Sequence, residues 1–205
     1  MHHALKSLSL LTIALLLSAS AMAAKLPGTI IRNGVAEEVT LKVNTNLLGD
    51  LKLITMQYKI TYYDKKGGKH KIRPGEADEV TFDFKGEKIR MISVENNLYS
   101  GSIFRGNGPE IFLHSIIEGN LHLYEFFYET HSMGPNNTMV SNIAVDWVLQ
   151  KGNGPLYIPE HIGFRKSMLR FLDDCPAVSE KVEERELRRR DLELLVIYYN
   201  EACGN

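Results

Sequence analysis

The sequence predicts a mainly β protein with an α-helical tail: an antiparallel meander that forms a sandwich or a partly open barrel, closed by two to three C-terminal helices. Turn residues recur at short intervals between residues 28 and 160, and the runs between them alternate apolar and polar side chains, as half-buried strands do. From about Ile162 the apolar period changes from two to about 3.6, which indicates helices. The predicted parts are therefore a signal peptide (1–23), a β-rich domain (24–160) and a helical segment packed on it (161–205).

Turn pairs define the hairpins. Asn33-Gly34 is the strongest signal, because both central residues of a type I′ turn need a positive φ. Similar signals occur at Lys66-Gly67-Gly68, Lys85-Gly86, Gly119-Asn120 and Asn153-Gly154. The hairpin over residues 111–128 is apolar on both strand faces, so we predict that it lies at the centre of the sheet.

The register of that hairpin bears on metal binding. A two-residue turn at Gly119-Asn120 pairs Glu125 with His114 and His122 with Ile117. Since side chains alternate along a strand, the two histidines then lie on opposite faces of the sheet. The sequence therefore assigns no metal site.

Motifs for catalysis and for cofactors are also lacking. The sequence has no Gly-x-Ser-x-Gly elbow and no His-Glu-x-x-His helix. The pentapeptide Arg105-Gly-Asn-Gly-Pro109 is echoed by Lys151-Gly-Asn-Gly-Pro155, but neither copy continues into the Gly-Lys-Ser/Thr of a phosphate loop. We predict two tight turns there, no bound cofactor and no catalytic residue.

The N-terminus predicts export. Lys6 precedes an aliphatic run from Leu8 to Leu17, and the small residues Ala21 and Ala23 follow. This order is typical of a secretory signal, here cleaved between Ala23 and Ala24. No later segment reaches the roughly 18 apolar residues of a membrane-spanning helix. We therefore expect a periplasmic or extracellular protein without an integral membrane segment after signal removal.

The charge balance argues against nucleic acid as a partner. The chain has 24 basic and 25 acidic residues, for a net charge of −1, so it offers no general attraction to phosphates. The basic run at residues 183–190 is interpreted as a solvated helix end. Its Glu184/Arg188 and Glu186/Arg190 pairs have the spacing of ion pairs on a helix surface.

Three helices are predicted in the tail, and they place the two cysteines. Their apolar positions are Phe164, Met168, Phe171 and Leu172, then Val178 and Val182 after Pro176, then Leu192, Leu195, Val196 and Tyr199. Cys175 begins the second helix and Cys203 ends the third, so antiparallel packing brings them together. In an oxidising compartment we predict a disulfide between them. The alternatives are two free thiols, or a Cys175 nucleophile served by His161.

Three segments resemble a family. They read MQYKITYYDKKGGKHKIRPGEADEVTFDF (56–84), FRKSMLRFLDDCPAVSEKV (164–182) and RRRDLELLVIYYNEA (188–202). They resemble a group of secreted β-rich proteins from Bacteroidota that begin with a signal, run through β-hairpins and close with an Asp-Cys-Pro helical segment. The resemblance implies a cell-envelope setting and assigns no functional residue.

Two functional hypotheses follow. The first is a non-enzymatic binding or structural module whose partner is an envelope protein or a glycan. Its candidate ligand residues are Trp147 and Asp146, although a core position for Trp147 is the alternative. The second is a hydrolase acting on an envelope polymer or glycan, which needs two carboxylates about 5 to 9 Å apart. Two facing carboxylates in a cleft with an aromatic platform would favour the hydrolase.

Overall fold

The computed structural model describes residues 23–46, 48–98 and 108–204. The predicted signal peptide lies outside them, apart from Ala23. The strands are β1 (Ala23–Arg32), β2 (Val35–Asn44), β3 (Ile60–Tyr63), β4 (Lys69–Ile72), β5 (Glu79–Phe84), β6 (Glu87–Glu95), β7 (Glu110–Ile117), β8 (Leu121–Met133) and β9 (Met139–Lys151). The helices are α1 (Leu53–Met56), α2 (Phe164–Phe171), α3 (Pro176–Glu183) and α4 (Leu192–Cys203), with short 3₁₀ turns at Pro135–Asn137 and Arg189–Asp191.

All nine strands belong to one antiparallel sheet in the order β4-β3-β2-β1-β5-β6-β7-β8-β9. The mainly β class with an α tail is confirmed, and the sheet does not close. The prediction that the β7–β8 hairpin lies at the centre is wrong, because it occupies the seventh and eighth positions. Its strands are apolar on both faces because other segments cover both faces near the end of the sheet.

Two of the predicted tight turns, at Asn33-Gly34 and Lys85-Gly86, are confirmed, whereas most of the turn predicted at residues 105–109 lies outside the described residues. Asn33 and Gly34 have φ of 49° and 74°, and Lys85 and Gly86 have φ of 52° and 86°. These are the left-handed conformations that a two-residue hairpin of type I′ requires. They fix the register of β1 with β2 and of β5 with β6.

The alternation of side chains divides the sheet into two faces. Ile30, Leu41, Val80 and Met91 share the face that we call the inner face, and each is fully buried. Helix α1 packs on this face through Leu53 and Met56. The opposite face, which we call the outer face, is largely polar along β1–β6.

Gln57, directly after α1, separates β7 from β8. Its carbonyl accepts a hydrogen bond from the Phe112 N–H at 3.0 Å. Its side-chain Nε2 donates to the Phe127 carbonyl at 2.8 Å, and its Oε1 accepts from the Phe127 N–H at 2.6 Å. Gln57 is fully buried and takes the hydrogen bonds that the two strands would otherwise exchange. Beyond it, β8 and β9 continue as a pair, and we call residues 128–144 the arm.

The helical tail packs on the inner face of β8 and β9. Its core joins Leu121, Leu123 and Leu149 to buried residues of the three helices, namely Met168, Leu172, Val178, Val182, Leu192, Leu195, Val196 and Tyr199. The predicted disulfide between Cys175 and Cys203 is present, with Cα atoms 5.8 Å apart and a sequence separation of 28. None of the described helices is long or apolar enough to cross a bilayer.

The predicted ion pairs in the basic run are wrong. Helix α3 ends at Glu183, and Arg185 then adopts a left-handed φ of 66° that breaks the helix. Without helical spacing, Glu186 instead contacts Lys181 at 3.0 Å, and Arg190 lies 3.7 Å from Asp191.

Candidate functional site

The end of the β7–β8 hairpin differs from the predicted register. Residues 118–120 connect the strands, so the turn is one residue longer than expected, and Ile117 pairs with Leu123 rather than with His122. A β-bulge between Ser115 and Ile117 offsets the extra residue. His114 therefore still pairs with Glu125, as predicted.

The two histidines lie on opposite faces, as the alternation predicts. His114 is buried on the inner face, where its Nδ1 lies 2.9 Å from Glu125 Oε2. His122 is on the outer face. Among the described residues, no three His, Cys, Asp or Glu side chains converge in a way that would hold a metal ion.

His122 lies in a cleft of about 570 Å³ on the outer face. Tyr124 shares this face because it is two residues further along β8, and Gln150 joins it because β9 pairs Gln150 with His122. Ile92 and Val94 of β6 line the cleft as well. The turn over residues 152–155 provides another wall.

Hydrogen bonds fix the polar groups of β8 and β9 in the cleft. The Tyr124 hydroxyl donates to Gln150 Oε1 at 3.1 Å. Gln150 Nε2 donates to the Gly154 carbonyl at 2.8 Å, which connects the strand to the turn. The turn itself closes through the Gly154 N–H, which donates to the Lys151 carbonyl at 2.8 Å. The Gln150 amide is thus held in one orientation by partners on both sides.

A second pair of hydrogen bonds joins the cleft to the segment after the turn. Asn97 Oδ1 accepts a hydrogen bond from the Leu156 N–H at 3.0 Å, and Asn97 Nδ2 donates to the Leu156 carbonyl at 3.5 Å. Leu156 packs on the outer face against Tyr124 and Val148. Asn97 and Asn153 are exposed and form a polar rim above His122 and Gln150.

The two titratable side chains at the base of the cleft, His122 and Tyr124, are uncharged at pH 7. Burial lowers the pKa of His122, and the nearby Glu118 carboxylate opposes that shift only in part. Its imidazole is therefore neutral at pH 7. Burial also raises the pKa of Tyr124 to about 12, so its hydroxyl remains a donor. The two rings stack with centroids 5.7 Å apart and planes 14° apart.

The imidazole of His122 lines the cleft, and its Nδ1 is unpaired among the described residues. Its Nδ1 is buried, and no group in the described part of the chain hydrogen-bonds to it. A neutral imidazole nitrogen either donates or accepts one hydrogen bond, according to its tautomer. A buried polar atom is normally paired, since leaving it unpaired costs about 1 to 3 kcal/mol. The base of the cleft therefore favours a ligand with a hydroxyl or amide group.

Trp147 and Asp146 do not form a joint site. As neighbours in β9 they point to opposite faces. Trp147 pairs with Glu125 and packs against the tail core on the inner face. Asp146 pairs with Phe126 on the outer face, where it is buried, and its Oδ1 lies 3.9 Å from His161 Nε2. Neither residue is among those that line the cleft.

The carboxylates do not pair in the cleft either. Among its described lining residues only Glu95 carries a carboxyl group. Glu95 lies four residues after Met91 in the same strand, so its side chain points to the inner face. The arrangement needed for a two-carboxylate hydrolase is not formed by these residues.

Sequence reasoning considered His122 only as a metal ligand with His114 and assigned it no site, and it missed Tyr124 and Gln150. The sequence did contain a signal for Tyr124. His122 and Tyr124 alternate with Leu121 and Leu123 along the strand, so they share the face opposite the two leucines. No local signal indicates Gln150, which meets them through strand pairing.

Comparison of this chain with models of protein families, with curated proteins and with solved structures finds no match.

Proposed function

We propose that this protein is exported and acts as a non-catalytic envelope module that binds a small uncharged glycan in the outer-face cleft. The disulfide supports an oxidising location. The signal-like N-terminus and the resemblance to secreted Bacteroidota proteins support the same location.

The imidazole of His122 carries the proposal, because it lines the cleft and its Nδ1 has no partner among the described residues. A glycan hydroxyl both donates and accepts hydrogen bonds, so it matches an imidazole in either tautomer. The rim amides of Asn97 and Asn153 offer further donors and acceptors. The volume of about 570 Å³ falls within the roughly 300 to 1,000 Å³ of small-ligand sites and suits one or two sugar units.

The composition of the cleft favours an uncharged ligand. None of its described lining residues is a lysine or an arginine, so an anionic sugar would enter without a counter-charge. The neutral His122 adds no positive charge at pH 7. The hydrolase alternative has no support here, because the described lining residues form no carboxylate pair.

Calorimetric titration of the secreted protein with N,N′-diacetylchitobiose and with cellobiose tests the proposal. We expect binding of at least one disaccharide without release of monosaccharide. Replacing His122 by Phe keeps an aromatic ring and removes both nitrogens, so we expect about tenfold weaker binding, the equivalent of about 1.4 kcal/mol. Gln150→Leu should weaken binding similarly, because it also releases the Tyr124 hydroxyl.

His131→Phe is the matched control, since His131 is an exposed histidine of the same strand. We expect it to bind like the unaltered protein. Absence of binding to both disaccharides, or binding that His122→Phe leaves unchanged, would contradict the proposal. Release of monosaccharide would favour the hydrolase.

A further inference from the structure

The arm carries a free sheet edge. Strand β9 is the last strand of the sheet. At Leu149 both backbone groups point away from β8, because its N–H and its carbonyl are each hydrogen-bonded to Tyr157 at 2.8 Å. Backbone direction alternates along an antiparallel strand, and the β8–β9 register runs without interruption. The backbone groups of Ser141, Ile143 and Val145 therefore also point outward, and no described residue hydrogen-bonds to them.

The two edges of the sheet contrast sharply. The edge strand β4 has four residues, and two of them are Lys69 and Lys71. Shortness and lysines are common devices that stop an edge from pairing with another chain. Strand β9 has 13 residues, and its segment 139–145 reads MVSNIAV, without a charge, proline or glycine. Within the described residues, this segment has neither the shortness nor the lysines that protect β4.

The arm also exposes apolar side chains, mainly on its inner face. Met133, Met139 and Ile143 of the arm and the adjoining Val145 share the inner face, whereas Val140 and Ala144 lie on the outer face. The exposed fractions of the four inner-face residues are 68%, 72%, 49% and 43%. The helical tail covers the inner face further along β9, at Trp147 and Leu149, but its core does not include these four residues.

We propose that β9 pairs with β9 of a second copy of this chain, in an antiparallel ladder about a two-fold axis at Ile143. In this register outward-pointing residues face one another: Ile143 pairs with Ile143 of the second copy and Ser141 pairs with Val145. A two-fold interface presents the same patch from both copies, and the uncharged segment brings no like charges together. The inner-face apolar side chains of the two arms then meet along one continuous sheet.

A second copy is favoured over an unrelated extended peptide because the strand complements itself. Its segment 139–145 carries no charge, so two copies meet without repulsion, and the apolar arm faces supply the same surface from each side. The contact with Tyr157 and the proximity of His161 to Asp146 limit the ladder at the tail side. The available segment is therefore residues 139–145, which includes Ile143.

Light scattering coupled to gel filtration, over a range of concentrations of the secreted protein, tests the proposal. We expect a dimer for the unaltered protein. Ile143→Pro removes only an N–H that points outward, so the β8–β9 ladder keeps its hydrogen bonds while the dimer ladder is interrupted. We expect a monomer with an unchanged circular dichroism spectrum.

Two further variants guard against misfolding. Ile143→Lys places two like charges at the two-fold axis and should also give a monomer. Ser132→Lys adds the same charge to the arm on strand β8, away from the β9 edge, and should remain dimeric. A short thiol cross-linker should join two Ile143→Cys chains but not two Ser132→Cys chains.

A monomer at every concentration of the unaltered protein would overturn the proposal. So would a dimer that persists in both Ile143→Pro and Ile143→Lys. This test does not depend on glycan binding, because the arm edge and the cleft share no residue.

Discussion

The β1–β6 part of the sheet and the β7–β9 part are buried in different ways. In the first part, the inner face holds the apolar core and the outer face is largely polar. On that outer face Arg90 forms a bidentate ion pair with Glu79, with both N–O distances at 2.8 Å. In the second part, outside the arm, both faces are apolar. The tail covers the inner face, and Leu156 with Ile158 covers the outer face against Tyr124, Phe126 and Val148.

This difference shows how a binding site can arise near the end of a sheet. A one-sided strand can keep polar residues on its solvent face without consequence. In a strand covered on both faces, each polar residue needs a partner. Gln150 has two partners, whereas the Nδ1 of His122 has none among the described residues. The two-sided part of the sheet is therefore where an unpaired polar atom indicates a ligand.

The largest expected effect comes from removing the disulfide of the helical tail, which covers the inner face of β8 and β9. The Cys175→Ala/Cys203→Ala variant should lower the free energy of unfolding by about 3 to 4 kcal/mol, because the bond closes a loop with a separation of 28 residues. Urea denaturation measures the loss. Hydrogen exchange should accelerate more at Leu123 and Leu149, under the tail, than at Ile30 and Leu41. Equal acceleration in both parts would contradict the comparison.

A smaller effect is expected where the two parts meet. Gln57→Leu leaves the N–H and the carbonyl of Phe127 without partners, so we expect a loss of about 2 to 3 kcal/mol in the free energy of unfolding. The Phe127 amide should also exchange faster. Thr55→Ala, at an exposed position of α1, is the control and should cost less than about 0.5 kcal/mol. A loss in Gln57→Leu no larger than this would show that the glutamine does not join the strands.

The smallest effect concerns pH. Burial lowers the pKa of His122 in the folded state, so the unfolded chain binds a proton more readily. The contribution of His122 to the free energy of unfolding is constant above the unfolded pKa of about 6.5. As the pH falls below that value, protonation of the unfolded chain destabilises the fold. The loss cannot exceed about 1.4 kcal/mol per pH unit. His122→Phe should flatten the dependence of unfolding free energy on pH between 7 and 5. An unchanged slope would show that His122 is not desolvated.

The sequence predicts the local elements well, because their signals are local. The positive φ of Asn33 and Gly34 follows from the turn chemistry, and the buried helix positions from Met168 to Tyr199 follow from the apolar period. The cysteine pair follows from two helix ends and an antiparallel reversal. In contrast, the bulge at Ser115 that restores the register of His114 leaves no recognisable pattern in the sequence.

The candidate site is less predictable because its residues meet through pairing. Asn97, His122 and Gln150 belong to three separate segments, and only the sheet order brings them together. The central position predicted for the β7–β8 hairpin failed for the same reason. Apolar residues on both faces indicate that a strand is buried on both sides, but they do not indicate which segments of the chain bury it.

The sequence by itself determined the strand and helix types, most of the turns, the opposite faces of His114 and His122, and the bond between the two cysteines, because backbone conformation and side-chain alternation are set by near neighbours. Only the tertiary structure decided that the sheet stays open, that Gln57 parts β7 from β8, and that His122 keeps an unpaired nitrogen in a cleft. Those outcomes depend on which distant segments satisfy each backbone and side-chain hydrogen bond, and that competition is resolved only when the whole chain packs.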